Sequence, residues 1–371
     1  MAKRGRPRKN KEITELERPV VENLDKKENI ITEPIPLIEN TEKSQELQAE
    51  LEGKKEIKIT PEQQEKKDKL KRIMGEVNKD FKDPAMLKFA KDEPAKESIP
   101  FGVNALDNFC GGGAVKGNFI IIYGSEGVGK TSDAYLQIAQ IQRQGGIACL
   151  IDLEHSTEKE RMKVFGVNVD ELVLVENCET AEDAMNITKK LAKEKVVDLI
   201  VIDSVQALSP HDENYEGKGE KEKPMEKNDM ALLARVMGKF LKRTASFVYK
   251  AKCAVILIGQ VRTEGLGTFI TRMGCTGGHA LKHWSMLTLQ KRKGQGVDAP
   301  VYKWKADGKT KEIRIGFSQV TIIEKTKKMT SQPENSELRI PFYPVSGYQR
   351  PTDEKIQEVY EDWIRNEENA G

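Results

Sequence analysis

The chain has 371 residues, 61 Lys and Arg against 59 Asp and Glu, and a formal net charge of +2. That length allows one large domain or two average ones, and no apolar run approaches the ~18–20 residues of a membrane span. Five scattered cysteines, at 110, 149, 178, 253 and 275, form no CxxC pair. This argues against a zinc ribbon or a disulfide framework, and for thiols in a reducing cytoplasm.

The averages merge two unlike parts. No Phe, Trp or Tyr precedes Phe81, and residues 1–80 are dominated by Lys, Glu, Asn, Gln and Pro. Such composition buries too little apolar surface to offset its ordering entropy. Residues 1–60 are therefore expected to be a disordered charged tail. Its basic opening, MAKRGRPRKNK, has no apolar segment behind it and is not a secretory signal. Lys3, Arg4, Arg6 and Arg8 surround a Gly and a Pro in a pattern that resembles an AT-hook. Nonspecific attraction to phosphates is the competing reading.

From Pro61 to Asp80 the sequence suits an exposed helix, with Leu70, Ile73, Met74 and Val77 on one side. Residues 61–99 are read as this helix plus a linker. From Phe101 apolar runs alternate with helical stretches. Strands are expected at Asn118–Tyr123, Ile147–Leu153, Leu172–Val175, Val197–Asp203 and Ala254–Gly259. Helices are expected at Lys130–Arg143, Ala181–Lys195 and Asn228–Lys250. Continuously apolar strands alternating with helices imply an α/β fold, a mostly parallel sheet covered on both faces. Met286–Arg292 and Arg314–Glu324 are expected to continue that sheet in antiparallel fashion. The core is placed at 100–345, and a short helical extension at 346–371.

The strongest motif is Gly124, Ser125, Glu126, Gly127, Val128, Gly129, Lys130 and Thr131, with Ser132 following. It fits GxxxxGK[ST] between a strand and a helix. Its glycines let successive backbone N–H groups face an anion, and the helix N-terminus adds its dipole. Lys130 would reach the β- and γ-phosphates of ATP, and the Thr131 hydroxyl would ligate Mg²⁺. Asp203 closes the apolar run LIVID and is the expected second magnesium residue. Glu154 ends IACLIDLE, where a carboxylate could polarise an attacking water; Asp152 and His155 are alternatives in the same cluster.

Further motifs follow in order: IDLEHS, VIDSVQALSP, IGQVR, TGGHALK and EKTKK. Together with the glycine loop, this series resembles the bacterial RecA strand-exchange recombinases from about Leu70 to Phe342. The resemblance implies a RecA-like ATPase core preceded by an oligomerisation helix that docks on an adjacent subunit. It assigns Glu154 as the catalytic glutamate and Gln260 as the sensor of the γ-phosphate. Lys325 and Lys327 become cations offered to a neighbouring subunit's ATP. Arg161 and Phe342 fall at positions flanking the adenine. Arg262–Thr276 matches a DNA-binding loop, with Arg262 and Arg272 for phosphates, Phe269 as the lone aromatic, and Gly277 and Gly278 just beyond. A first DNA loop is expected at about His211–Lys227, longer and more charged than the family pattern.

The implied function is ATP-dependent recombination and repair. A helical filament on single-stranded DNA would exchange strands with a homologous duplex, with a single-strand-binding protein or mediator as a further partner. The implied setting is cytoplasmic, DNA-associated and without a membrane partner. The family's separate C-terminal domain is not expected after Tyr348, only a helix at Thr352–Asn366, which makes a phage-borne copy plausible. A helicase or branch-migration motor on the same fold is the alternative, followed by a non-enzymatic DNA-binding regulator.

Overall fold

The computed structural model describes residues 60–84, 86–211, 230–264, 272–275, 279–294, 299–306, 309–328 and 333–356. Two units divide the chain, Met1–Glu93 and Pro94–Gly371. The first contains helix α1, Pro61–Asp80. Thr60 accepts from the Gln63 N–H at 3.3 Å, and the Gln63 side chain accepts from the Thr60 N–H at 3.0 Å. That reciprocal capping box, with Pro61 at the first helical position, fixes where the helix starts. No residue of α1 is buried within its unit, and Leu70 and Ile73 of the apolar stripe are exposed.

In the second unit a small hairpin comes first, β1 (Ser98–Ile99) pairing antiparallel with β2 (Ala114–Val115) around helix α2 (Asn104–Phe109). Ile99 and Phe101 are fully buried, so the segment read as a linker already belongs to the core. The remaining order is β3 (Phe119–Gly124), α3 (Lys130–Arg143), β4 (Ala148–Asp152), α4 (Lys159–Val164), β5 (Val173–Val175) and α5 (Ala181–Glu194). There follow β6 (Leu199–Asp203), α6 (Met230–Ala251), β7 (Ala254–Glu264), β8 (Arg272–Cys275), α7 (His279–Trp284) and β9 (Ser285–Lys293). Strands β10 (Val301–Ala306), β11 (Lys309–Arg314), β12 (Phe317–Thr326) and β13 (Glu337–Phe342) complete it.

The main sheet runs β13-β12-β9-β3-β7-β6-β4-β5, with β8 paired to β7; β10 and β11 form a separate antiparallel pair. Strands β5, β4, β6, β7, β3 and β9 are mutually parallel. The antiparallel part begins only at β12, so the expectation for Met286–Arg292 is corrected: β9 extends the parallel set and β12 reverses it. Its residues Leu287 and Leu289 face the same cluster as Ile120, Ile122, Ile256 and Ile258, which requires cover by helices on that face.

Alternation along each strand divides the core in two. Ile120, Ile122, Leu150, Val201 and Ile256 pack with Tyr135 and Ile138 of α3 on one face. Phe119, Ile121, Ile151, Ile200, Ile202 and Leu257 pack with Met185 of α5 and Met237 and Leu241 of α6 on the other. Among the described residues no helix is long and apolar enough to cross a membrane.

Candidate functional site

Parallel pairing brings the carboxyl ends of β3, β4, β6 and β7 to one edge, where open α/β sheets bind ligands. Gly124 at the end of β3 stands opposite Gln260 on β7 and Lys291 on β9. A Cβ at Gly124 would lie 2.0 Å from the Lys291 carbonyl oxygen, so only glycine allows this approach. The loop then turns through Gly129 at φ 88°, the N-cap of α3. A Cβ there would meet the Phe342 ring at 2.5 Å. Ser125, Glu126 and Gly127 are exposed, whereas Val128 is buried and offers only its backbone.

Lys130 folds back on its own loop, donating to the carbonyls of Gly124 at 3.1 Å and Ser125 at 2.7 Å. Burial lowers its pKa, opposed by the nearby carboxylates of Asp203, Glu154 and Glu126. The Thr131 hydroxyl donates to Asp203 Oδ2 at 2.7 Å, across 72 residues of sequence. Burial pushes the Asp203 carboxyl up to about 6; the Thr131 bond opposes that, and Glu154 and Asp152 add to it.

The three acidic-cluster candidates separate by their contacts. Asp152 is buried and accepts from the Glu154 and Thr157 N–H groups at 3.1 and 3.0 Å, so it shapes the turn. His155 is an exposed turn residue at φ 51°. Glu154 is exposed, and its Oε1 accepts from the Ser204 hydroxyl and from Gln206 Nε2 at 2.9 Å. Gln206 lies in a short 3-10 turn, Val205–Ala207, directly after β6. Its Oε1 in turn accepts from the Gln260 backbone N–H at 3.1 Å.

These residues fit a magnesium–nucleotide. A hydroxyl and a carboxylate in contact, with two further carboxylates nearby, form a hard oxygen donor set that a divalent cation would neutralise. Lys130, now occupied by loop carbonyls, is the cation such a loop supplies to phosphate.

Arg161 of α4 lies 5.6 Å above the Phe165 ring, with its guanidinium 3.4 Å from Ser132 Oγ and 3.4 Å from the Pro344 carbonyl oxygen. Phe342, expected near the base, is only 2% exposed and packs under the phosphate loop against Gly129, Phe317 and Tyr348. Its ring supports the loop. Lys325 donates to the carbonyls of Lys282 and His283, and Lys327 to that of His283 at 3.0 Å. Both thereby cap the last turn of α7, where a helix collects cations. Burial lowers the Lys325 pKa, and Lys327 and Lys282 lower it further.

The segment expected as a second DNA loop is also corrected in part. β7 continues past Gly259 to Glu264, and β8 pairs back on it with Arg262 opposite Gly274 and Glu264 opposite Arg272. Arg262 and Arg272 are therefore strand residues on a ribbon, because pairing satisfies backbone groups that a loop would leave open. Phe269, Gly277 and Gly278 lie outside the described residues, as do 212–227 of the first loop and Lys3, Arg4, Arg6 and Arg8 of the tail.

Sequence reasoning missed a network beneath the loop. Lys291 and Asp133, both fully buried, form an ion pair at 2.7 Å. Lys291 also donates to Gln319 Oε1 at 3.0 Å, and Gln319 Nε2 donates to the Val128 carbonyl at 2.5 Å. The Tyr348 hydroxyl lies 2.6 Å from both Asp133 Oδ1 and Gln319 Oε1, and 3.2 Å from Lys291 Nζ. Burial and Asp133 push that phenol well above its ordinary range. One signal was available: Leu287, Leu289 and Lys291 alternate onto one face of a strand.

Residues 68–330 match the family model described as the RecA N-terminal domain. The chain is 34% identical over 237 residues to protein RecA of Gloeobacter violaceus, covering 64% of this chain and 62% of that protein. It is 37% identical over 231 residues to protein RecA of Francisella tularensis subsp. novicida, covering 62% of each. The chain thus spans about 62% of the length of these curated relatives. A crystal structure of the RadB recombinase is 18% identical with a TM-score of 0.46, covering 67% of this chain and 97% of that one.

Proposed function

The chain belongs to the RecA N-terminal domain family, and from that premise we propose that it is a DNA-dependent ATPase of homologous recombination and repair. In this reading it polymerises on single-stranded DNA and exchanges strands with a homologous duplex. What carries it is one edge of the sheet: Lys130, Thr131, Glu154, Asp203 and Gln260 converge there, and β7 runs from Gln260 into the ribbon bearing Arg262 and Arg272.

Thr131 and Asp203 would hold Mg²⁺, which when bound neutralises charge on the phosphate oxygens. Lys130 leaves the loop carbonyls for the β- and γ-phosphates. Glu154 accepts a proton as the attacking water's oxygen bonds to the terminal phosphorus and the bond to the bridging oxygen breaks. Lys325 and Lys327 serve an adjoining subunit's nucleotide, stabilising charge on the transferred group. The amide of Gln260 answers to the terminal phosphate and sets the ribbon behind it. The basic tail and α1 are assigned to duplex attraction and subunit docking, in a cytoplasmic recombinase with a mediator as further partner.

The test is joint-molecule formation between a circular single strand and its linear duplex, with ATP and Mg²⁺. The parent should form joint molecules. Glu154→Gln should keep nucleotide-dependent filaments in electron micrographs and lose hydrolysis by about 10²–10⁴-fold. Closed rings, or equal hydrolysis in the variant and the parent, would reject the proposal.

A further inference from the structure

The nucleotide edge and the DNA ribbon are joined by a side chain that belongs to neither. Gln206 donates through Nε2 to Glu154 Oε1 at 2.9 Å and accepts through Oε1 from the Gln260 backbone N–H at 3.1 Å. Chemistry fixes the orientation of this amide. A carboxylate can only accept and a peptide N–H can only donate, so the nitrogen must face Glu154 and the oxygen must face Gln260. Among the twenty side chains only Gln and Asn carry a neutral, permanently charge-free donor and acceptor on one planar group. The Gln length spans the gap between Glu154, just past the end of β4, and Gln260 within β7.

The surroundings make this bridge consequential. Among the described residues both hydrogen bonds to the Glu154 carboxylate fall on Oε1, from Ser204 and Gln206. Ser204 holds Glu154 only locally, whereas Gln206 ties the same oxygen to the strand that leads into the ribbon of β7 and β8. The peptide it grips belongs to Gln260, level with Gly124 at the mouth of the phosphate loop.

We propose that Gln206 is a positioning residue that couples the Glu154 carboxylate to β7, so that a change at the γ-phosphate edge is transmitted to the DNA ribbon through its amide. The inference rests on the DNA-dependent ATPase reading and adds a residue to it. Reorientation of Glu154 pulls on Nε2, and the amide passes that displacement to the Gln260 peptide. Linkage makes the effect reciprocal: DNA held by the ribbon biases where the carboxylate stands.

The experiment measures one ratio, the affinity for a labelled single-stranded oligonucleotide with Mg²⁺ and a nonhydrolysable ATP analogue, divided by the affinity without nucleotide. Fluorescence anisotropy on the full chain supplies both numbers. The parent should show a ratio of about tenfold or more. Gln206→Ala should cut that ratio about fivefold or more. Ser204→Ala, which removes the other donor to Glu154, should slow hydrolysis and leave the ratio within about twofold.

Gln206→Glu supplies a readout that a merely structural role would not move. Ionised, it repels Glu154 and cannot donate; protonated, it again offers one donor and one acceptor. Glu154, which faces it, belongs to a charged cluster in which Glu154, Asp152 and Lys130 act on Asp203, and Asp203, Glu154 and Glu126 act on Lys130. Divided by the parent's ratio at the same pH, which removes the titration of Asp203 common to both, the Gln206→Glu ratio should be low near pH 8 and recover toward pH 5.5. Should Gln206→Ala fail to fold, this near-isosteric variant decides alone. A parent ratio near one would overturn the DNA reading and this role with it. A coupled parent with an unaltered Gln206→Ala ratio, or a Gln206→Glu ratio without pH dependence, would overturn the Gln206 role alone.

Discussion

Replacing Lys291 with Met tests how the phosphate loop is held. The Lys291 and Asp133 side chains are both 0% exposed and 2.7 Å apart. Lys291→Met leaves the Asp133 carboxylate buried with the Tyr348 hydroxyl at 2.6 Å as its remaining partner. Removing one member of a buried pair costs about 3–5 kcal/mol, because the survivor keeps its desolvation penalty and loses its counter-charge. Against a total stability of about 5–15 kcal/mol this is a large share. Converting both, Asp133→Leu with Lys291→Met, removes the penalty together with the attraction and should restore stability to within roughly 1 kcal/mol of the parent. The double-mutant cycle should therefore show a coupling of several kcal/mol, on the order of the single-mutant loss.

Guanidinium unfolding followed by far-ultraviolet circular dichroism measures all four species. A second readout is nucleotide affinity, because Lys291 orients Gln319, which holds the Val128 carbonyl of the loop. The single variant should weaken binding by more than its loss of folded fraction explains. Single-mutant losses below about 1 kcal/mol, or a double variant as unstable as the sum of the singles, would refute the reasoning.

Asp203 predicts a pH dependence. Its folded carboxyl is raised from 3.8 to about 6, chiefly by burial, so the folded chain holds this proton more tightly than the unfolded one. Its contribution is complete below about pH 4 and is lost as the pH rises to about 6, an upper bound of roughly 3 kcal/mol. Denaturation of the nucleotide-free parent and of Asp203→Asn between pH 4 and 7 should diverge over that window; parallel curves would contradict it. Gly129→Ala places a Cβ 2.5 Å from the Phe342 ring at φ 88°, and should abolish nucleotide binding in calorimetry, while full-affinity binding would show that the loop rearranges freely. Replacing Lys325 and Lys327 together with Ala frees the Lys282 and His283 carbonyls. Hydrolysis on DNA should fall at least about tenfold with single-subunit nucleotide affinity unchanged, and undiminished turnover would remove the pair from the mechanism.

The glycine loop, its Lys130 and Thr131, and the strand ending at Asp203 were legible because each is a local signal. Helix α3 begins and ends where its periodicity said, at Lys130 and Arg143, and β6 closes on Asp203 as the run LIVID implied. Spacing alone left Glu154 open among three neighbours and the family resemblance singled it out; the contacts of Ser204 and Gln206 with its oxygen are what the fold adds. The strand at Ala254–Gly259 was read too short because glycines and charges after it looked like a loop, and pairing with β8 carried it to Glu264. The resemblance puts Phe342 near the adenine, and packing, which no local signal carries, sets its ring under Gly129.

Sequence alone determined where α1, α3, α5, α6, β3, β4 and β6 lie and which motif can cradle phosphate, since periodicity, caps and glycine conformations act within a few residues. Tertiary structure alone decided the partners: Thr131 with Asp203 across 72 positions, Gln319 with Val128 across 191, and Tyr348 with Asp133 across 215. Lys291 makes the division plain. In the run QKRK it has the composition of a surface, yet it lies at zero exposure. The energy that keeps a charge there comes from Asp133, Gln319 and Tyr348, which only the closed sheet brings within reach.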